Sequence, residues 1–307
     1  MQPLFVTSGD LVADRRYDIA RSYWQRGDLK AAAEIMEQAI EAAPAFASAW
    51  FSLGELREAL GERDAAAVAF RAALAADATD RHGAGLHLMR LGAAPLGEMP
   101  QDYVRALFDQ YAPHFDQDLL QTLNYRGPRL LRDAVQRALQ ATGRAPAFAH
   151  AIDLGCGTGL GGRAFAPYAT AIAGCDLSPA MVARARDTGC YAELVVSDMA
   201  AMLTAAPDAS ADLIFAVDAL VYLGDLAPLL TQARRALAKD GVLAFTVETH
   251  AGEGVVLGPS LRYQHGEVYI RDALAAAGLA PCEIADASTR DEAGVPVPGL
   301  TVVAITS

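Results

Sequence analysis

The densest chemistry in the 307-residue sequence lies at Asp153-Leu154-Gly155-Cys156-Gly157-Thr158-Gly159. Glycines at 155, 157 and 159 remove the Cβ atoms that would keep a backbone turn away from a ligand. A helix beginning just beyond them would aim its free N–H groups and the positive end of its dipole at that ligand. The spacing is not that of a dinucleotide turn. In G-x-G-x-x-G the third glycine would fall at Leu160, whereas here it is Gly159. Asp153, two positions ahead of the first glycine, would repel a pyrophosphate but suits a ligand carrying an ammonium group. The competing reading makes Asp153 a simple helix cap.

Three more acids follow at the ends of apolar runs. Asp176 stands 21 residues beyond Gly155, where a carboxylate can accept both hydroxyls of a ribose, and it opens the segment Leu177-Ser178-Pro179-Ala180-Met181. Asp198-Met199 and Asp218 close the next two runs. Any one of them could be a routine polar strand end. Four acids at four successive strand C-termini point instead to the crevice in which open parallel sheets bind ligands.

The Asp-x-Gly-x-Gly-x-Gly pattern resembles motif I of the class I S-adenosylmethionine-dependent methyltransferases, and the downstream acids fit that resemblance. It implies S-adenosylmethionine as cofactor, held by Asp153, Gly155, Cys156, Gly157, Thr158 and Gly159. Asp176 would take the ribose, with Leu177, Ser178 and Met181 alongside. Asp198 and Met199 would meet the adenine, and Asp218 holds the corresponding position after the fourth strand. Phe108-Asp109-x-Tyr111-Ala112-x-x-Phe115-Asp116 resembles a segment that folds over the cofactor in relatives, placing Tyr111 at the site. Aromatics four residues apart also read as ordinary helix packing.

The elements that must position these residues alternate. Residues 149–154, 171–176, 192–197, 213–217 and 242–247 read as strands, and 180–188, 226–238 and 267–277 as helices. This predicts an α/β fold, a Rossmann-like class I methyltransferase sheet with helices on both faces. Residues 282–288 and 300–306 read as strands without a helix between them, and so as a C-terminal antiparallel hairpin. Residues 102–141 are helical in pattern, broken near Pro113 and Pro128.

Methyl transfer is an in-line displacement that the protein assists by positioning and by excluding water. A base is needed only for a hydroxyl or a protonated amine. The loops after the fourth and fifth strands offer Tyr222, Glu248 and His250, and the next segment offers Arg262, Tyr263, His265 and Tyr269. The catalytic candidates are His265, Tyr263, His250 and Tyr222. His265 is the first choice for its pKa range, against the plainer reading of a loop histidine. His114 has similar standing, whereas His82 and His87 read as structural. No histidine sits in a metal-binding pattern, so no metal is expected.

Upstream, Gly27 and Gly61, Ala32 and Ala66, Met36 and Phe70, and Ala39 and Ala73 recur at a spacing of 34. With Trp50-x-x-Leu53-Gly54 this resembles the tetratricopeptide repeat, although Ala78 replaces its closing proline. Residues 1–94 are therefore expected to form an all-α tetratricopeptide-repeat domain of two repeats and a capping helix over 80–91. Residues 95–307 would form the methyltransferase domain, with 101–145 as a helical lid segment. The combination resembles a group of bacterial methyltransferases with a repeat N-terminus.

Composition bounds the partners. A net charge of −12 without a basic cluster disfavours nucleic acid. No apolar run is long enough to span a bilayer, and the first residues lack a secretory pattern. Four scattered cysteines read as reduced thiols of a cytoplasmic protein. The expected acceptor is a small molecule. The alternatives are a protein docked on the repeats, a non-catalytic cofactor-binding module and, least favoured, a dehydrogenase. Monomer and homodimer both remain open.

Overall fold

The 34-residue spacing becomes two helix pairs in a computed structural model of the chain, which describes residues 4–306. α1 (Leu11–Gln25) pairs with α2 (Leu29–Ala42), α3 (Ala47–Ala59) with α4 (Arg63–Ala76), and α5 (Ala84–Arg90) follows. Gly27 and Gly61 turn the chain within each pair at φ of +82° and +80°, a region that favours glycine. The repeated small and apolar positions Ala32, Met36, Ala39, Ala66 and Phe70 are all buried. A Cβ on Gly54 would lie 2.5 Å from the Phe70 ring, so the second pair closes only around a glycine. The capping helix is shorter than expected. Asp80, at φ +51°, accepts the Ala84 and Gly85 N–H groups at 2.6 and 2.8 Å and so starts the helix four residues late. His82 and His87 are buried, bonded to Ser48 and Glu58 respectively.

Contacts divide the chain into two units. One runs to Leu107 and includes Pro259–Leu261; the other comprises 108–258 and the residues from Arg262 onward. The division falls within α6 (Gln101–Tyr111) rather than in the glycine- and proline-rich stretch before it.

In the second unit a single turn, α7 (Phe115–Gln117), and a π-helical turn over Asp118–Thr122 lead into α8 (Gly127–Ala141). The helical run is broken just before Pro128, which opens α8 at a position where its missing N–H costs nothing. Strands and helices then alternate as β1 (Phe148–Leu154), α9 (Leu160–Phe165), β2 (Ala169–Asp176), α10 (Pro179–Asp187), β3 (Glu193–Val196), α11 (Met199–Ala205), β4 (Ala211–Ala216), α12 (Ala227–Ala236) and β5 (Leu237–Glu248). The chain continues through β6 (Val255–Leu257), β7 (Tyr263–His265), α13 (Glu267–Ala276), β8 (Leu279–Ala287), β9 (Asp291–Glu292), β10 (Val295–Pro296) and β11 (Gly299–Thr306). The main sheet has the order β3-β2-β1-β4-β5-β11-β8, and β11 runs antiparallel to both of its neighbours. The C-terminal hairpin is therefore present, with its second strand inserted beside β5. One apolar layer, including Leu131, Val135 and Phe165, joins α8 and α9 to one face of the sheet. The other, including Leu203, Leu230 and Leu274, joins α11, α12 and α13 to the opposite face. Strand order reverses between β1 and β4, which places a crevice at their C-terminal ends. Among the described residues no helix is long and apolar enough to cross a membrane.

Candidate active site

Each of the three motif glycines has a different task. A Cβ on Gly155 would strike Ala219 at 2.5 Å, and one on Gly159 would strike Thr188 at 2.8 Å. These two let the turn pack against its neighbours. A Cβ on Gly157 would meet nothing nearer than the Phe115 ring at 4.0 Å, so it would project into the crevice itself. Asp176 accepts the Gly157 N–H on Oδ2 and the Ser178 N–H on Oδ1, both at 2.9 Å. Each of its oxygens thus keeps a lone pair for another donor. Burial raises the pKa of this carboxyl. Ser178 caps α10 by accepting the Met181 N–H, and Asp198 caps α11 by accepting that of Ala201. Met181 is buried; Leu177 and Met199 are half-buried. Cys156 and Thr158 are buried as well, and burial pushes the Cys156 thiol upward.

Asp153 corrects one expectation. Only 1% exposed, it accepts the Tyr191 hydroxyl at 2.6 Å, and that hydroxyl in turn accepts the Gly162 N–H at 3.2 Å. Burial pushes its carboxyl up to about 7. Asp153 therefore braces the first turn of α9 through Tyr191. Tyr191 carried no recognisable signal in the sequence.

The last turn of α6 and the segment after it lie over this turn. Asp109 accepts the Ser178 hydroxyl and, at 3.3 Å, the Ala180 N–H, while Asp116 accepts the Thr158 hydroxyl. Above Gly157, Phe115 packs with Phe108 and Tyr111 at ring separations of 6.0 and 5.3 Å, and Phe108 reaches Tyr222 at 5.3 Å. Burial, then the neighbouring Asp118, moves the Tyr111 hydroxyl up to about 12.

Beyond β4 the crevice changes character. Asp218, at φ +52°, donates its N–H to Thr246 Oγ1 at 2.8 Å and accepts that hydroxyl at 2.9 Å. Burial, then the neighbouring Asp218, raises the pKa of the Tyr125 hydroxyl. Arg290 pairs with the buried Glu248, lies 3.9 Å from Asp218 Oδ2, and shares Glu292 Oε1 with Arg262. Arg262 reaches Glu248 as well, at 3.3 Å. Two guanidiniums and three carboxylates thus interlock, with Tyr222 close enough to raise the Arg262 pKa despite burial.

Residues 152–245 match the methyltransferase domain family, and residues 17–81 match the tetratricopeptide repeat. This chain carries a methyltransferase domain behind tetratricopeptide repeats. A trans-aconitate 2-methyltransferase of Delftia acidovorans is 36% identical over 106 residues, which cover 34% of this chain and 40% of that protein. The chain thus matches less than half the length of this curated relative. The Burkholderia thailandensis 1,6-didemethyltoxoflavin-N1-methyltransferase, solved with its substrate and S-adenosylhomocysteine, shares the fold at TM-score 0.53 and 17% identity, over 70% of this chain and 92% of that one. So does the [4+2]-cyclase SpnF, at TM-score 0.55 and 18% identity, over 69% and 97%.

His265 and His250 occupy positions unlike those expected of a base. His265 is fully buried, its Nε2 bonded to the Leu223 carbonyl at 3.0 Å and its ring stacked on Tyr269; burial lowers its pKa to about 4. It secures the loop after β4. His250 accepts the Gly252 N–H on Nδ1 and faces the Gly254 carbonyl with Nε2, folding its own loop. Tyr263, on β7, is buried. Of the four catalytic candidates only Tyr222 joins the crevice cluster. Arg290 and Glu292 were missed, because they stand more than 40 residues beyond Glu248 and follow no motif.

Proposed function

We propose that this chain is an S-adenosylmethionine-dependent methyltransferase whose acceptor is a small molecule. The reading rests chiefly on Gly157, whose absent Cβ leaves open space beside the Asp176 carboxylate at the β1–β2 rim. A sulfonium nucleoside fits that arrangement. Asp176 would accept ribose hydroxyls with its remaining lone pairs, and Asp198 and Met199 would flank the base. The 155–159 backbone would receive the polar tail. When bound, the donor supplies an electrophilic methyl group on sulfur. The chain's own part is to hold the acceptor at the β4–β5 rim and to keep water out with Phe108, Tyr111, Phe115 and Tyr222. This assigns the aromatic segment the role of a lid and the cytoplasm as the place of action, where the buried thiols stay reduced.

A second reading has one observation in its favour. The match of residues 17–81 to the tetratricopeptide repeat gives stacked helix pairs of the kind whose concave faces bind other proteins. Incubation with S-adenosylmethionine labelled in the methyl group, together with a cell extract divided into metabolite and protein fractions, separates the two. Label entering the metabolite fraction supports the small-molecule acceptor. Label on polypeptide supports docking on the repeats, and label in neither contradicts methyl transfer.

A further inference from the structure

The interlocked cluster at the β4–β5 rim contains an odd member. Glu248 is 3% exposed and fixed between two arginines, and Arg290 is 4% exposed. Glu292 differs: its side chain is 40% exposed and projects from a hairpin whose two turn residues, Ala293 and Gly294, both have positive φ. Yet a single oxygen of this surface carboxylate receives both guanidiniums, Arg262 Nη1 at 2.6 Å and Arg290 Nη2 at 3.1 Å. Two convergent forks on one oxygen make a carboxylate-binding arrangement. We propose that Arg262 and Arg290 recognise a carboxylate of the acceptor, and that Glu292 occupies their forks until the acceptor displaces it.

This rests on the methyltransferase reading and adds the acceptor's chemical class. The exchange leaves the charge unchanged: one carboxylate leaves the forks as another enters, against the same two guanidiniums, Asp218 and Glu248. Displacement is also mechanically simple, because only a half-exposed side chain must rotate outward.

The test titrates succinate, citrate and benzoate, with succinamide as the neutral isostere, into the full chain saturated with S-adenosylhomocysteine. Wild type, Glu292→Gln and Arg290→Lys are compared by calorimetry. At least one carboxylate should bind Glu292→Gln tenfold or more tighter than wild type and Arg290→Lys tenfold or more weaker, while succinamide gives no heat. Equal affinity in all three proteins, binding of succinamide as tightly as succinate, or no carboxylate binding to Glu292→Gln overturns the proposal. If S-adenosylhomocysteine itself fails to saturate wild type, the donor reading falls first and this inference with it. Normal saturation with flat carboxylate titrations removes the inference alone.

Discussion

Above β1 and β2 the crevice is lined by a contiguous glycine turn and by acids at regular strand ends, and most of its polar contacts go through backbone N–H groups. Above β4 and β5 it is lined by long charged side chains, with Tyr111, Tyr125, Asp218, Tyr222, Glu248, Arg262, Arg290 and Glu292 gathered from across the second unit. A ligand common to many proteins can be met by backbone shape, which a short motif encodes. A particular acceptor must be met by side chains, and those come from wherever the fold brings loops together. The first rim should therefore fail through sterics and lost hydrogen bonds, the second through uncompensated charge.

The sharpest contrast lies between two glycines of one motif. Gly155→Val drives a Cβ into Ala219 at 2.5 Å, so it should lower stability by about 3 kcal/mol or more and depress Tm severely. Gly157→Val meets only the Phe115 ring edge but sits at φ +53°, so it should lose about 1–3 kcal/mol to backbone strain without the clash of Gly155→Val, while losing S-adenosylhomocysteine binding by about a hundredfold or more. Calorimetric melts and titrations of both variants check this; equal loss of stability in the two would erase the distinction.

On the charged rim, Arg290→Met strips the buried Glu248 of a partner. The expected cost is about 3–5 kcal/mol, read from denaturant unfolding. A cost below about 1 kcal/mol would mean that the cluster is solvated rather than interlocked.

Next in size is a pH effect. His265 is neutral in the folded chain with a pKa of about 4, below its ordinary 6.5. The unfolded chain binds the extra proton first, so the stability this histidine contributes is complete above pH 6.5 and falls as pH drops towards 4, by about 3 kcal/mol. Asp153 slopes the other way. Raised from 3.8 to about 7, it contributes fully below pH 3.8 and loses that contribution as pH rises through 7. Unfolding of His265→Gln and wild type across pH 4–7 isolates the histidine, and parallel curves would contradict the assignment.

Asp176→Ala should weaken S-adenosylhomocysteine binding by about a hundredfold, corresponding to two hydrogen bonds to a charged acceptor at about 1.5 kcal/mol each. The smallest effect is that of Ser178→Ala, about 1 kcal/mol of stability from the lost α10 cap.

How much of this was legible follows the same division. The strands over 149–154, 171–176 and 242–247 and the repeat glycines were readable because period and spacing are local. The short helix α11 was not, having too few residues for a period to emerge, and α9 was expected only from the glycine turn before it. Asp153 was read as a ligand group because nothing in the sequence connects it with Tyr191, 38 residues on. His265 was read by its titration range, which burial beneath Leu223 removes. Arg290 and Glu292 lie in a loop whose role arises only when β11 inserts beside β5 and brings that loop against Glu248.

The most direct measurement is calorimetric titration of S-adenosylhomocysteine into ligand-free wild type, Gly157→Val and Asp176→Ala proteins that melt cooperatively. The account predicts one saturable site in wild type, weakened about a hundredfold by each substitution. No saturation in wild type, or undiminished binding in Gly157→Val, would contradict it.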